Sequence, residues 1–444
     1  MIDISPELVT VLLFGGILVC VILGYPLAIS VGAVGLIVGF FLFGPKIIGD
    51  MYYTRMFNQT TNYILLAVPF FIFMGTMLER TGVAEQLYEA MFLWFGGLRG
   101  GLAITTILIG TIMAACVGVI AASTMMLAVI GIPAMLKRGY SKPLATGCVC
   151  AGGTLGILIP PSIMLVVYGP MANLGVGGLF FGAFIPGFLL SALYMTYIIV
   201  WCLIRPADAP PVSKEERQVP LRDRTILLLK SLVPPLALIL AVLGSIFFGV
   251  AAPTEAAAVG ALAATLLAVV YRKFSFKALF ATALTTIKHS GMILLIASLS
   301  FAFVGVFIRA QCGAVVHDFL LSAPGGRWGV FFFIMFICFI LGMFIDWIGI
   351  VFIMVPIITP VGEALGFDPL WFGMMICVNL QMSFLTPPFA YAIFFVRAAS
   401  PPEFGVDTSD VIRGVIPYIF LIMVGLVLCI IFPQLILWLP NQML

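Results

Sequence analysis

The sequence predicts an all-α polytopic membrane protein built from two repeats of opposite orientation. Of its 444 residues, 63% are hydrophobic and only 9% are charged, whereas soluble domains carry about 25% charged residues. Double prolines interrupt two long apolar segments, at Pro160-Pro161 and at Pro387-Pro388. The halves of the chain also share short matches in the same order. These features predict that each repeat contains one re-entrant helical hairpin and one broken transmembrane helix.

The double prolines predict the broken helices. Proline lacks a backbone N–H and clashes with the preceding turn, so neither segment can be a continuous helix. In a membrane, non-helical backbone survives only where protein buries it or where it lines a cavity. A matched pair of interrupted apolar segments is the best sequence indication of a transporter's central binding site.

The distribution of basic residues orients the predicted spans, because cytoplasmic loops carry an excess of Lys and Arg. Three basic clusters, within 137–142, 205–230 and 272–288, are therefore placed in the cytoplasm. The path that satisfies all three requires 100–136 and 329–361 to enter and leave the membrane at one face. These segments are predicted to be re-entrant hairpins that enter from opposite faces.

A polar stretch, 205–224, is the only sizeable linker and divides the chain. The predicted regions are N-terminal scaffold helices (1–62), a first inverted repeat (63–204) with hairpin 100–136 and broken helix 143–170, a cytoplasmic linker with scaffold helices (205–289), and a second inverted repeat (290–444) with hairpin 329–361 and broken helix 369–397. Simple spans are expected near 7–26, 27–44, 63–79, 179–203, 226–249, 254–271, 290–308 and 414–439.

The internal repeat rests on matches that keep their order along both halves. The matched pairs are Pro133 with Pro356, Gly139 with Gly362, Pro143 with Pro369, Pro160-Pro161 with Pro387-Pro388, and Pro186 with Pro417. The number of intervening spans makes the two repeats opposite in orientation. Inverted repeats are typical of secondary transporters that alternate access around a site at the membrane midplane.

The hairpin centres carry the most unusual polar residues. Asp346 is the one acid deep within a long apolar run, and the repeat alignment places Ser123 opposite it. Ionisable residues inside a membrane are costly and mark functional sites. The alternative is an Asp that caps a helix through backbone N–H groups, which does not exclude ion binding.

Each repeat is predicted to form one sodium site from a hairpin centre and a broken helix. The first half of a broken helix ends in unpaired carbonyls at the negative end of its dipole, which suits a cation. The second half begins with N–H groups that suit an anionic substrate. The candidate sodium ligands are Gly118, Ser123, Thr124, Gly152, Thr154, Pro160, Gly342, Asp346, Gly349, Ser383 and Thr386; the candidate substrate contacts are Arg55, Ser123, Thr154, Ser162, Asp346 and Ser383.

Several of these residues have a structural alternative. A Ser or Thr hydroxyl can bond back to its own helix or across to a neighbour. Arg55 either attracts an anionic substrate or a docking partner or anchors at lipid headgroups. Thr254 is predicted as a helix N-cap with Glu255 in the first turn, a structural role. Segment 82–96 is either an interfacial amphipathic helix or an ordinary loop helix.

Composition also limits the chemistry. Only His289 and His317 are present as histidines, which argues against a histidine-rich metal centre. The nine cysteines lie mostly inside apolar segments and are read as small buried hydrophobes. A membrane enzyme lacks support because no Ser/His/Asp set, paired catalytic acids or metal motif is visible. A channel fits less well than a carrier, since duplicated hairpins from opposite faces favour alternating access.

The sequence resembles the large membrane subunit of tripartite ATP-independent periplasmic (TRAP) transporters over essentially its whole length. The matching runs are PFFIFMG at 69–75, GGTLGILIPPS at 152–162 with Tyr168-Gly169, and APTEAAAVG at 252–260. The resemblance implies a sodium-driven importer of organic acids in the bacterial inner membrane that works by an elevator motion. It implies no organic cofactor, and no nucleic acid is expected as a partner. The expected partners are membrane lipid, a separate small membrane subunit of about four helices, and a periplasmic substrate-binding protein.

The hairpin arrangement is also similar to that of sodium–dicarboxylate carriers, whose hairpin tips carry Ser-Asn-Thr. The tips here read AST at 122–124 and IDW at 345–347. The departure is larger in the second half, so the side-chain ligands there are expected to differ. A stand-alone sodium/carboxylate symporter that needs no binding protein is the alternative function.

Overall fold

The computed structural model describes residues 4–118, 120–213, 215–388 and 390–443, which form helices and no strand. The helices are α1 (Pro6–Ile22), α2 (Leu27–Phe43), α3 (Pro45–Thr60), α4 (Ala67–Glu79), α5 (Val83–Phe95), α6 (Gly101–Val117), α7 (Ile120–Leu136), α8 (Lys142–Thr154), α9 (Ile163–Ala172), α10 (Val176–Ile204), α11 (Leu221–Phe247), α12 (Pro253–Val270), α13 (Phe276–Arg309), α14 (Cys312–Leu321), α15 (Gly326–Gly342), α16 (Trp347–Ile353), α17 (Val355–Ala364), α18 (Pro369–Ser383), α19 (Tyr391–Ala399), α20 (Thr408–Ile431) and α21 (Gln434–Leu437).

Within the described ranges, five helices are long and apolar enough to cross a membrane: α10, α11, α12, α13 and α20. The number rises to eight if each of three bent pairs is counted as one span. These pairs are the segments 45–79, bent by 53°, 312–342, bent by 117°, and 347–364, bent by 55°. The all-helical membrane fold predicted from composition is therefore confirmed.

Helices α6 and α7 form the first hairpin, over the predicted range 100–136. The chain reverses at Gly118, whose φ of 64° is left-handed and therefore suits a residue without a Cβ. The broken helix follows, as α8 up to Thr154, a short 3₁₀ turn at Leu155–Ile157, and α9 from Ile163. The double proline lies inside this break and contains a cis peptide bond.

The second repeat contains the same succession of elements. Helices α15 and α16 are joined at 343–346, and the second arm bends again at Met354 before α17. Helix α18 ends at Ser383 and α19 begins at Tyr391. Pro387-Pro388 is also cis. The helix breaks predicted from the two double prolines are both present.

The two hairpins and the two broken helices pack into one core. Hairpin arms α6 and α7 pack on α8, while α7 also packs on α19, the second half of the other broken helix. Reciprocally, α15 packs on α18, and α16 and α17 pack on α9. Glycine allows the closest approaches, such as that of Gly147 in α8 to the backbone of Gly414 in α20. Small residues at such crossings let helix backbones pack closely in a membrane.

The outer helices are organised around α13, which packs on α2, α3, α4 and α16. The span predicted at 290–308 is too short, because α13 extends over 34 residues from Phe276. Its start is set by Ser275, whose hydroxyl accepts from the Ala278 N–H at 3.0 Å. Helices α3 and α14 were not predicted at all, since neither is a long apolar run.

Segment 82–96 forms α5, which packs between α6 and α11. Its apolar side is covered by protein: Leu87 is 0% exposed and Met91 is 5% exposed. Trp94, by contrast, remains 40% exposed. The packing favours the ordinary helix over one that lies with its apolar face in the membrane interface.

The polar linker runs across the base of the first hairpin and bonds to both of its ends. Ser141 donates its N–H to the Asp208 carbonyl at 2.9 Å, next to the α7 end of the hairpin. On the α6 side, Gly100 donates to the Ala209 carbonyl at 3.2 Å. Arg138 and Glu216 add an ion pair at 2.6 Å. The linker segment 205–217, apart from Lys214, which lies outside the described residues, is thus attached to the hairpin.

Candidate functional site

In the first repeat, the hairpin contacts the end of α8 through Ser123. The Ser123 side chain is fully buried and its Oγ donates to the Gly153 carbonyl at 2.9 Å, with the Ile120 carbonyl at 3.2 Å. Gly156 lies beside it, since a Cβ there would be 3.1 Å from the same Oγ. A hydroxyl and carbonyl oxygens therefore meet at the end of a helix, where the dipole favours a cation.

Thr124 and Gly118 lie at the same junction. Thr124 is 0% exposed, its Oγ1 has no hydrogen-bond partner, and it packs directly on Gly153. Gly118 lies against the second half of the break, where its Cβ position is 3.4 Å from the Pro161 carbonyl oxygen. Gly152 packs instead against α6, close to the Thr106 carbonyl. The hairpin tip, the end of α8 and the proline break are therefore in contact.

Two predicted hydroxyl ligands of the first repeat bond within their own segment. Thr154 Oγ1 donates to the Ala151 carbonyl at 3.0 Å. Ser162 Oγ donates to the Ile157 carbonyl, across the break that contains Pro160. Both side chains are fully buried. Both hydroxyls therefore have the structural role that was the alternative to ion binding, a hydrogen bond to a nearby backbone carbonyl.

In the second repeat, Asp346 is the N-cap of α16. Its Oδ1 accepts from the Trp347 N–H at 2.9 Å, and the side chain is only partly buried. Among the described residues it forms no ion pair with Lys, Arg or His. Tyr391, at the start of α19, lies within electrostatic range of the carboxylate. The predicted cap is present, and it leaves the second carboxylate oxygen available.

Ser383 and Gly342 join α18 to the second hairpin. Ser383 Oγ donates to the Phe339 carbonyl at 3.3 Å, and its side chain occupies the space that a Cβ on Gly342 would need. Thr386 Oγ1 donates to the Met382 carbonyl at 2.8 Å. Gly349 faces elsewhere, since its Cβ position meets Leu27 of α2. The structure brings Gly342 and Ser383 together and leaves Gly349 on the side of the outer helices.

Arg55 lies outside both junctions. It is on α3, with Nε 3.3 Å from the Cβ position of Gly305 in α13, among the outer helices. The prediction for Thr254 was wrong: α12 starts at Pro253 with Ala252 as its N-cap, so Thr254 lies inside the first turn. Glu255 Oε2 accepts from the Ala252 N–H at 2.9 Å, a structural role as predicted.

A cleft of about 670 Å³ lies between α7 of the first hairpin and helices α4, α5 and α13. One wall is α7, with Ala121 and Ala122 directly before Ser123. The opposite wall is mostly polar and charged: it consists of Ile72, Thr76 and Glu79 of α4, Arg80 directly after α4, Glu85 of α5, and Thr285 and His289 of α13. Small-molecule sites are commonly about 300 to 1,000 Å³, so the cleft can admit a small organic molecule.

The sequence analysis missed Gln381. This side chain is 0% exposed, and neither its amide oxygen nor its amide nitrogen has a hydrogen-bond partner. The sequence contains a signal for this position: Gln381 precedes Pro387 by as many positions as Thr154, a predicted sodium ligand, precedes Pro160. The side-chain oxygens expected at the breaks were Ser and Thr hydroxyls, and the amide of Gln381 is a different source of oxygen.

Comparison with known proteins decides the family. The protein-family model described as "Tripartite ATP-independent periplasmic transporter, DctM component" matches residues 14–435 of this chain. The chain belongs to this family. It is 31% identical over 388 residues to the C4-dicarboxylate TRAP transporter large permease protein of Pseudomonas aeruginosa, covering 87% of this chain and 88% of that protein. The recognition made from the motifs is therefore confirmed, and the relatives are transporter permeases and not enzymes.

Other large permeases of TRAP transporters match at similar levels. The ectoine protein of Halomonas elongata is 28% identical, covering 95% of this chain and 96% of that protein. The sialic acid protein of Vibrio cholerae is 29% identical, covering 88% and 89%. Among solved structures, the YdaH transporter of Alcanivorax borkumensis superposes with a TM-score of 0.60 at 16% identity, covering 88% of this chain and 90% of that chain. This last similarity concerns the fold alone.

Proposed function

We propose that this TRAP large permease is the sodium-driven transport subunit of an organic acid importer in the bacterial inner membrane. Two sodium ions, one per repeat, bind where a hairpin tip meets a broken helix. The core of hairpins and broken helices moves as an elevator against the outer helices. Asp346 carries the proposal: it is a carboxylate at a hairpin tip with no basic partner among the described residues.

An unpaired carboxylate within a membrane segment calls for a cation. Transfer of an isolated carboxylate into an apolar medium is very costly unless it is paired or binds a metal. Asp346 uses one oxygen for its cap on Trp347 and is partly buried. Sodium accepts carboxylate, hydroxyl and carbonyl oxygens together, so the second oxygen of Asp346 is a suitable ligand.

The first sodium site is proposed at Ser123, whose hydroxyl already lies 2.9 Å from the Gly153 carbonyl. The unpartnered Thr124 hydroxyl next to it adds an oxygen. Carbonyl-rich sites at broken helices are the membrane counterpart of helix-terminus ion sites. The repeat alignment pairs Ser123 with Asp346. Each would thus bind one sodium ion, Ser123 through a hydroxyl and Asp346 through a carboxylate.

The substrate class follows from the cleft and from the relatives. The cleft is lined by Ala122, directly before Ser123, and by His289, directly after Lys288 of a basic cluster that we place in the cytoplasm. It therefore provides a route from the first hairpin to the cytoplasmic face. The curated relatives are named for C4-dicarboxylates, ectoine and sialic acid. We assign small organic acids, delivered by a periplasmic binding protein, with a small membrane subunit as the second partner.

Uptake into proteoliposomes tests this function. The chain is reconstituted with its small membrane subunit, the binding protein is added outside, and labelled di- and monocarboxylates are supplied with and without an inward sodium gradient. Uptake that needs both the gradient and the binding protein is the expected result. Sodium-independent uptake would contradict the proposal, and sodium-driven uptake by this chain alone would establish a stand-alone symporter instead.

A further inference from the structure

Three polar side chains occupy the last turns of α18, and they do not face the same way. Asn379 donates its Nδ2 to the Met335 carbonyl at 2.8 Å, and Ser383 donates to the Phe339 carbonyl at 3.3 Å. Both partners belong to α15, so Asn379 and Ser383 mark the face toward the second hairpin. At 100° per residue, Gln381 lies about 160° to 200° around the helix from them.

The face that carries Gln381 is the one that packs on the first repeat. Met374 is seven residues earlier, about two turns, and lies within about 20° of Gln381 around the helix; it contacts Gly182 of α10. Gly373 lies to the side, about 80° around the helix from Gln381, and its Cβ position meets the ring of Tyr168 in α9. The side chain of Gln381 is therefore directed from the end of α18 toward the elements of the first repeat, away from the hairpin of its own repeat.

Gln381 is the polar group of α18 that the protein leaves unsatisfied. It is 0% exposed, and neither amide atom has a partner. Buried polar side chains are nearly always hydrogen-bonded, and an unpaired one calls for an explanation such as an ion or a water. The equivalent position of the first repeat, Thr154, satisfies itself by bonding to the Ala151 carbonyl. The second repeat thus has an open ligand position where the first has a closed one.

The position of Gln381 in α18 and its burial indicate which kind of ligand its amide would bind. Gln381 is in the final turn of α18, where the carbonyls lose their intrahelical partners and the dipole is negative. A cation is favoured there and a carboxylate is not. Because Gln381 is 0% exposed, a monatomic ion matches its side-chain oxygen better than an organic acid does.

We propose that Gln381 Oε1 binds a transported sodium ion on the face of α18 opposite the second hairpin. This places a cation between the two repeats, in addition to those at Ser123 and Asp346. The inference rests on the proposed sodium coupling. It adds one more sodium ion, with Gln381 as a ligand. Three sodium ions would accompany each substrate.

The test compares Gln381→Leu with Asn379→Leu in the complete transporter. Both changes remove a buried amide from the same helix, but the Asn379 amide is bonded to the hairpin and the Gln381 amide is not. We expect Gln381→Leu to raise the sodium concentration for half-maximal uptake several-fold and to lower the Hill coefficient. Asn379→Leu should reduce thermal stability and leave the sodium dependence unchanged.

Gln381→Glu keeps the test decisive if the leucine variant does not fold. A carboxylate in place of the amide should strengthen sodium binding, seen as a larger rise of the melting temperature with sodium in purified protein. An unchanged sodium dependence in both Gln381 variants would overturn this inference and assign the position to an ordered water. Sodium-independent uptake by the wild type would overturn the proposed function as well, so the two failures are distinct.

Discussion

At the scale of single residues, the same side-chain type caps two helices in different surroundings. Asp346 and Asp368 both cap helices, accepting from the N–H groups of Trp347 and Trp371 at 2.9 Å. Asp346 is the one deep in an apolar hairpin, whereas Asp368 precedes α18 in a loop. Capping alone therefore does not explain the acid in the hairpin.

Asp346→Asn separates the two roles, because Asn caps a helix about as well as Asp. We expect the variant to fold with near-normal thermal stability and to need a several-fold higher sodium concentration for half-maximal uptake. Asp368→Asn is the matched control and should leave sodium dependence as in the wild type. Equal sodium curves for the two variants would reduce Asp346 to a cap.

At the scale of elements, the core depends on glycine where helices cross. A Cβ on Gly147 would overlap the backbone of Gly414, which has no side chain that could move aside. The α8–α20 crossing must therefore open for any larger residue. Gly244, in α11, has no atom within 4 Å of its Cβ position.

Gly147→Ala should consequently destabilise the protein, by about 1 to 3 kcal/mol as for other overpacked cores. Gly244→Ala should be neutral or slightly stabilising, since Ala is favoured over Gly within a helix. The measurement is the thermal melting of the purified protein in detergent. Similar melting temperatures for the two variants would show that α8 and α20 are not closely packed.

At the scale of the whole molecule, the cleft marks the boundary across which the proposed elevator would move. Thr76 of α4 and Ala122 of α7 line opposite walls. Arg138 and Glu216 join the linker to the hairpin at 2.6 Å, on one side of that boundary. We therefore expect the distance between Thr76 and Ala122 to change during transport and the distance between Arg138 and Glu216 to stay constant.

A bifunctional thiol cross-linker between Thr76→Cys and Ala122→Cys should abolish uptake, because it ties the hairpin to the outer helices. The same reagent between Arg138→Cys and Glu216→Cys should leave uptake largely intact. Cys20, the only native cysteine that is not buried among the described residues, is first replaced by Ser. Active transport in the first cross-linked variant would refute the elevator motion.

The predicted topology is tested by labelling single cysteines at position 137, replacing Lys, and at position 327, replacing Arg. The placement of basic clusters in the cytoplasm puts these positions on opposite faces of the membrane. A membrane-impermeant thiol reagent applied to intact cells stripped of their outer membrane should label only position 327. Labelling of both positions, or of position 137 alone, would require another path of the chain.

Some parts of this fold could be read directly from local chemistry. Apolar length predicted most spans and the paired prolines predicted both helix breaks, because these signals act within a few residues. The hairpins were predicted from the placement of the basic clusters along the chain. Helices α3 and α14 carry no comparable signal. The full length of α13 was also missed, because its first turns, which begin at the Ser275 cap, precede its long apolar run.

The sequence by itself determined the membrane class, the family, both proline breaks and the acid at a hairpin tip, since composition and motif are properties of the chain. The tertiary structure alone decided which polar groups are satisfied. Thr154 and Ser162 bond to nearby backbone, Gly349 faces Leu27, and Gln381 has no partner. Whether a polar group bonds to its own segment, to a neighbour or to neither depends on the direction and distance of the groups around it in the fold, which no local pattern encodes.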